Sequence, residues 1–264
     1  MVMAIVYNFE RGIMKTKKMT DRLEAVFTIV PTANAIGDIG TDHGYMAVEL
    51  IRRGVAKFVV AGDVNKGPLS SATEYIHRVG LSNVIQCRLG NGLQVIDSNE
   101  LQGAVICGMG GFLMIDIIKD GPSMLDFYVL QPQNGQGDLR KYIVSKGYKI
   151  VRDIIMTDMG KMYQAFLAIK ETVLLQYVTT DGPITEGAVK LSHLYDELSP
   201  ESMLWEIGAI ANVERPELWT AHVGHAIYQR NCAVEGMTEE LAYTEKYKGL
   251  VKEIKELRSY IKSI

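Results

Sequence analysis

Gly37-Asp38-Ile39-Gly40-Thr41-Asp42-His43-Gly44-Tyr45 decides how this chain reads. It closes a short apolar run from Ala35 to Ile39, so it predicts a strand running into a glycine-rich turn. Glycines there let the backbone bend tightly and approach a ligand. The turn has no G-x-G-x-x-G spacing, and no lysine completes a phosphate loop. Asp38, two residues before the turn glycine Gly40, favours a cationic or hydroxyl-rich ligand over a pyrophosphate. S-adenosylmethionine fits that description, with its ammonium, sulfonium and ribose diol. D-x-G alone is weak evidence, because many loops contain it.

Downstream, strand-like and helix-like stretches alternate. A helical pattern over Met46, Val48, Leu50 and Ile51 ends near Gly54, and Lys57 to Ala61 is β-branched and aromatic, with Asp63 just beyond it. Leu69 to Val79 reads as a helix stopped by Gly80; Val84 to Leu89 and Ala104 to Cys107 read as strands. Phe112 to Lys119 is a helix before Gly121-Pro122, Phe127 to Leu130 a fifth strand, and Asp138 to Lys146 a helix ended by Gly147. Such alternation implies α/β architecture, a doubly wound and mostly parallel sheet with helices on both faces. In such sheets ligands sit at the carboxyl ends of the strands. Lys149 to Met156 and Met162 to Ile169 flank Thr157-Asp158-Met159-Gly160-Lys161, which predicts an antiparallel edge hairpin. Five parallel strands and a hairpin resemble the class I methyltransferase version of the Rossmann-like fold more than the dehydrogenase version.

The pattern breaks at Thr179-Thr180-Asp181-Gly182-Pro183. Helices are expected over Pro200 to Asn212, Pro216 to Val234 and Glu239 to Ile264. The last places Leu241, Tyr247, Leu250, Ile254, Leu257 and Ile261 largely on one stripe, as in a helical hairpin or short coiled coil. The expected organisation is an N-terminal extension over 1–20, a catalytic domain over 21–172 and a helical coiled-coil domain over 173–264.

The chain has 264 residues, a net charge of −3 and three widely spaced cysteines. Its length suits one or two domains, and it has no apolar run long enough for a membrane span. Met1 to Met14 holds Glu10 and Arg11 and reads as a lead-in, not a signal peptide. Cys87, Cys107 and Cys232 suit free thiols in a reducing, cytoplasmic setting. The net charge does not advertise nucleic-acid binding, but it leaves room for a local basic face. His222 and His225 lie three apart without an obvious third ligand, so no metal is expected.

Other loops at the same sheet edge carry polar or glycine-rich chemistry. Asp63 is placed to accept ribose hydroxyls; its plainer role is to cap the helix after Val64. Gly90-Asn91-Gly92 follows the third strand, where Asn91 can reach an adenine amino group. Gly108-Met109-Gly110-Gly111 follows the fourth and suggests an open floor under a base. Gln131-Pro132-Gln133-Asn134-Gly135 follows the fifth.

These blocks, in this order and spacing, resemble the bacterial tRNA (adenine-N1)-methyltransferase family that modifies adenine at tRNA position 22. The decisive residues are Gly37 to Tyr45, Ala61-Gly62-Asp63-Val64-Asn65-Lys66-Gly67-Pro68, Gly108 to Gly111 and Leu130-Gln131-Pro132. Trp205-Glu206-Ile207-Gly208 is similar to a motif after that family's catalytic domain, and the resemblance runs from Arg22 to the C-terminus. It implies S-adenosylmethionine as cofactor, tRNA as partner and methyl transfer to adenine N1. Asp63 stands where glutamate is expected, Asn91 where aspartate is, and Gln133 where asparagine is common. All three keep hydrogen-bonding capacity.

The expected roles follow. Asp38, Gly40, Asp63, Val64, Gly90, Asn91, Gly92, Gly108 and Met109 are cofactor-binding candidates. Asp42, His43 and Tyr45 are catalytic candidates: Asp42 to stabilise a base that becomes cationic, Tyr45 to stack on it. The plainer readings are that His43 serves only backbone groups and that Tyr45 packs under the next helix. Gly110, Gly111, Gln131, Pro132 and Gln133 are substrate candidates. Lys252, Lys255 and Arg258 on the last helix are candidates for tRNA phosphate contacts, or for an ordinary solvated face. A monomer is expected. A methyltransferase acting on another substrate, and a non-catalytic cofactor-binding module for RNA or a partner, stay open at this point.

Overall fold

The structure is a computed structural model and describes residues 19–121, 125–237 and 244–262. Met1 to Met14 and the rest of the extension up to residue 18, Pro122, and the expected start of the last helix with Glu239 and Leu241 lie outside the described residues. Seven strands form one sheet in the order β3-β2-β1-β4-β5-β7-β6. They are β1 (Ala33–Ile39), β2 (Ala56–Asp63), β3 (Ile85–Leu89), β4 (Gly103–Met109), β5 (Phe127–Pro132), β6 (Tyr148–Asp158) and β7 (Lys161–Lys170). The first five pair in parallel, and the order reverses beside β1, which pairs with both β2 and β4. The expected hairpin forms, with Met159 at φ +48° and Gly160 at φ +75° in its turn. Two successive positive φ values match the twist of the flanking strands. Its second strand, β7, lies against β5, so β6 becomes the sheet edge.

Alternating side chains of each strand feed two cores. On one face lie α1 (Asp21–Phe27), α2 (Tyr45–Arg52) and α3 (Lys66–Arg78), burying Val26, Leu50 and Ile76 over Ile36, Val59 and Val105. On the other lie α4 (Gly111–Lys119) and α5 (Gln136–Ser145), burying Met114, Ile118 and Leu139 over Ile39, Ala104 and Leu130. Ile36 and Ile39 from one strand thus serve opposite layers. That is the doubly wound arrangement read from the sequence. Helix α1 was not foreseen: it has seven residues, too few to show a period, and is capped by the Thr20 hydroxyl accepting from Leu23 N–H at 3.3 Å.

The boundary expected after residue 172 is not a break in packing. Leu174 and Ile184 belong to the first core; Tyr195, Trp205, Ala209 and Ile210 belong to the second. A short helix, α6 (Glu186–Ser192), was not foreseen there, and the helix expected over 200–212 is interrupted. Gly208 at φ +95° separates α7 (Leu204–Ile207) from α8 (Ala209–Glu214). The break lets this segment wrap a buried ion pair. Arg140 of α5 is 1% exposed and meets Asp153 of β6 at 3.0 Å, Gln164 of β7 at 3.0 Å and the Trp205 carbonyl at 2.9 Å. Asp153 also accepts from the Tyr195 hydroxyl and, at 3.2 Å, from Ile210 N–H.

What stands off the sheet is an antiparallel pair, α9 (Trp219–Glu235) and α10 (Glu245–Lys262), tied by Arg230–Glu253 at 2.6 Å. From the expected stripe, Ile254 and Leu257 are buried while Tyr247, Leu250 and Ile261 are half-buried. The geometry is a two-helix hairpin, and a sustained heptad seam is not seen. Among the described residues no helix is long and apolar enough to cross a membrane.

Candidate active site

A cavity of about 240 Å³ opens at the carboxyl ends of β1, β2 and β4. Gly40, Asp63, Val64, Asn91, Gly92 and Met109 line it, six of the nine residues expected to bind cofactor, together with Asn65, Leu113 and Ile117. Each reaches the cavity because its strand stops there, at the point where the strand order reverses. Gly40 sits at φ +77°, and a side chain on it would run into the Met109 methyl. Gly92, at φ +52°, lies against Ile117. The floor is therefore bare backbone, and the wall formed by Met109, Leu113 and Ile117 is apolar. Asp63 Oδ1 accepts from Asn65 N–H at 2.6 Å, which fixes the carboxylate at the strand end. Gly90 stands just behind, its N–H donating to the Asp63 carbonyl at 3.0 Å.

Asp38 lies beneath this floor, 7% exposed. Its Oδ2 accepts from the Thr41 hydroxyl at 2.6 Å and from Ala47 N–H at 3.3 Å, locking the turn to the start of α2. Burial pushes its pKa from 3.8 up to about 6; these hydrogen bonds oppose the rise, and the nearby Asp63 and Asp42 carboxylates add to it. The folded pKa exceeds the unfolded one, so folding favours the protonated form. Stability is then highest below about pH 4 and falls as the pH climbs to about 6. We predict that Asp38→Asn removes this fall. The variant should gain on the wild type by roughly 2–3 kcal/mol between pH 4 and pH 7, measured as the difference between their denaturant unfolding energies. A pH-independent difference would contradict it.

The Gly108 to Gly111 loop is built by backbone contact. Gly111 N–H donates to the Asn134 carbonyl at 2.9 Å, and a Cβ on Gly111 would lie 2.5 Å from the Gly135 carbonyl oxygen. Gly110 faces the Asn134 side chain, whose Oδ1 would be 3.0 Å from an added Cβ. Gln131 is fully buried, and its Oε1 accepts from Gly108 N–H at 3.2 Å and from the Arg22 guanidinium. Pro132 is buried as well. Gln131 and Pro132, expected at the substrate, thus support the loop from below. Gln133 instead faces a separate cleft toward α9.

Arg22 is a site residue that the sequence reading passed over. From α1 it reaches Gln131, stands 3.7 Å from Asp158 and lies over the Tyr163 ring at 5.3 Å. Its signal is Thr20-Asp21-Arg22, a capped helix start at the boundary where the expected catalytic domain begins. The catalytic candidates are not among the residues lining the cavity. Asp42 has a 79% exposed side chain and pairs with His43 at 3.2 Å. Tyr45 packs between His43, at a ring distance of 5.7 Å, and Tyr75, at 5.3 Å. Its ring is engaged with Tyr75 of α3. Lys252, Lys255 and Arg258 are exposed on α10. No cluster of metal-ligating side chains occurs among the described residues.

The profile of the family described as "Methyltransferase domain" matches residues 19–166, more than half of the chain. The Bacillus subtilis tRNA (adenine(22)-N(1))-methyltransferase is 30% identical over 158 residues, which span 59% of this chain and 66% of that relative. The crystal structure of the B. subtilis m1A22 tRNA methyltransferase superposes with a TM-score of 0.76 at 24% identity, covering 92% of this chain and 99% of that one. A Streptococcus pneumoniae protein provisionally assigned as a tRNA (m1A22) methyltransferase, solved in complex with S-adenosyl-L-methionine, gives 0.73 at 25% identity over 92% and 99% of the two chains. A seven-stranded sheet with an antiparallel edge hairpin, a glycine-floored cavity at its switch point and this profile agree, and the chain belongs to the methyltransferase-domain family.

Proposed function

We propose that this protein transfers a methyl group from S-adenosylmethionine to N1 of an adenine in tRNA, the adenine at position 22. The observation that carries the reading is the cavity over Gly40, with Asp63 at one end and an apolar wall of Met109, Leu113 and Ile117. A ribose diol suits Asp63, whose second oxygen remains after Oδ1 is used by Asn65. An adenine ring suits the apolar wall, with the Asn91 amide at its edge. An ammonium suits the neighbourhood of Asp38, where a cation would favour the ionised carboxyl. The bare backbone at Gly40 and Gly92 leaves room for close approach.

When bound, S-adenosylmethionine supplies an electrophilic methyl group. The chain's own work is to hold, orient and exclude water. N1 of neutral adenine already carries a lone pair, so no strong base is required. The Gly108 to Gly111 loop, braced by Gln131 and Arg22, offers a flat approach for a base. The methylated base is cationic, and Asp42, in the loop next to the cavity floor, is assigned to stabilise that charge. Asp42→Asn is expected to lower turnover about tenfold or more while leaving cofactor affinity unchanged. Wild-type turnover at saturating tRNA would remove Asp42 from this role. Lys252, Lys255 and Arg258, exposed on α10, are assigned to tRNA phosphates.

The test is methyl transfer from labelled S-adenosylmethionine to unmodified bulk tRNA, in parallel with protein and small-amine acceptors. Label in tRNA alone supports the reading. Label in another acceptor gives the enzyme a different substrate, and cofactor binding without transfer makes it a binding module.

A further inference from the structure

Beyond the cofactor cavity, a larger cleft lies between the hairpin turn and α9. Its outer lobe holds about 680 Å³ and its inner lobe about 200 Å³. The two lobes adjoin, with Gln133, Met162, Tyr163 and His225 lining both. Gln133 joins the cleft to the proposed reaction centre, because its amide nitrogen lies 4.0 Å from where a Cβ on Gly108 would sit. The outer lobe carries Lys161, Tyr163 and Tyr228, and Tyr228 is 64% exposed although aromatic. Lys161 and the exposed Tyr228 ring in one lobe match what a nucleotide needs: a phosphate partner and a flat surface for its base.

The inner lobe supplies an independent sign of a ligand. His222 lines it, is 6% exposed, and its Nε2 has no hydrogen-bond partner among the described residues. Burial, the largest cause, with the Arg140 charge lowers its pKa to about 4, so the ring is neutral at ordinary pH. Its other nitrogen serves the Ile207 backbone, where the available partner is the carbonyl, so Nδ1 carries the proton. Nε2 is then a buried acceptor without a donor. Leaving such a group unpaired costs free energy that a ligand N–H recovers.

We propose that this cleft holds one nucleotide of the RNA next to the target adenine, a nucleotide whose base bears an exocyclic amino group. Tyr228 stacks on the base, Lys161 meets a phosphate, and His222 Nε2 accepts from the amino group. The proposal rests on the tRNA reading above. It adds a flanking-nucleotide site that sets which adenine enters the reaction centre.

The test uses the full chain and an unmodified tRNA transcript. Tyr228→Ala is expected to weaken tRNA binding and raise KM about tenfold, the scale of one base stack, with a smaller effect on kcat and unchanged S-adenosylmethionine affinity by calorimetry. Lys161→Ala should lower the salt slope of binding by about one. Transcripts with each nucleotide flanking the target changed singly to uridine separate recognition from folding. One position should raise the wild-type KM yet add nothing in His222→Phe, because the two changes remove the same contact. Additive effects at every position, or wild-type affinity in Tyr228→Ala and Lys161→Ala, overturn the cleft proposal. A wild-type protein that transfers no methyl to tRNA overturns the reading beneath it as well.

Discussion

Gly40→Leu is expected to lower affinity for S-adenosylmethionine about a hundredfold while the chain still folds. Two costs arise, the first on folding and the second on cofactor binding. Gly40 lies at φ +77°, where an L-residue is strained by about 1–2 kcal/mol. The new side chain also enters the cavity over Met109, and overfilling of that kind costs about 1–3 kcal/mol. The Met109 methyl sits at the end of a flexible side chain and can swing aside, but it then fills the same cavity. Calorimetric titration reads the affinity, and a thermal melt reads the fold. Gly54→Leu is the control: Gly54 has φ +70° and open space around it, so it bears the strain alone. It should keep wild-type cofactor affinity. If Gly40→Leu also keeps it, the cavity is not the cofactor site.

Asp153→Ala is expected to cost about 3–5 kcal/mol of stability, the scale for removing one partner of a buried ion pair. It leaves the Arg140 guanidinium, 1% exposed, facing the Gln164 amide and two carbonyls without a counter-charge. It also strips the acceptor from the Tyr195 hydroxyl and from Ile210 N–H. The segment from Tyr195 to Ile210 should therefore loosen first, visible as faster amide exchange there than in β1 and β4. Denaturant unfolding gives the total. A loss below about 1 kcal/mol, with exchange unchanged, would mean the network is not what holds that segment to the sheet.

The strands and the first two crossovers were legible because each carries its own punctuation. Gly54, Gly80 and Gly147 all take positive φ at the ends they mark. The cavity at the carboxyl ends of the strands was legible for the same reason: strand ends are local features, and a parallel sheet gathers strand ends. Asp63 and Gly40 could be placed without knowing any tertiary contact. What escaped depends on partners distant in sequence. Nothing local marks Arg140 and Asp153 as partners; β6 brings them together with Trp205. Arg22 belongs to a helix too short to show a period, and its value lies in Gln131, which is 109 residues away. Gln131 looked like a substrate contact because it follows a strand, yet its backbone register turns it inward. Tyr45 reads locally either as a ring for the base or as a packing ring, and its contact with Tyr75 comes from a different helix. The apolar content of 200–212 suggested one helix; Gly208, at φ +95°, divides it so that the chain can turn around Asp153.

Regiospecific methylation of tRNA is read out by nucleoside analysis. An unmodified tRNA transcript with adenine at position 22 is incubated with the protein and S-adenosylmethionine, digested and separated. One new nucleoside, 1-methyladenosine, is expected, and none when that adenine is replaced by guanine. Methyl label on another base, another nitrogen or another position, or an equal yield from the guanine-substituted transcript, would contradict it.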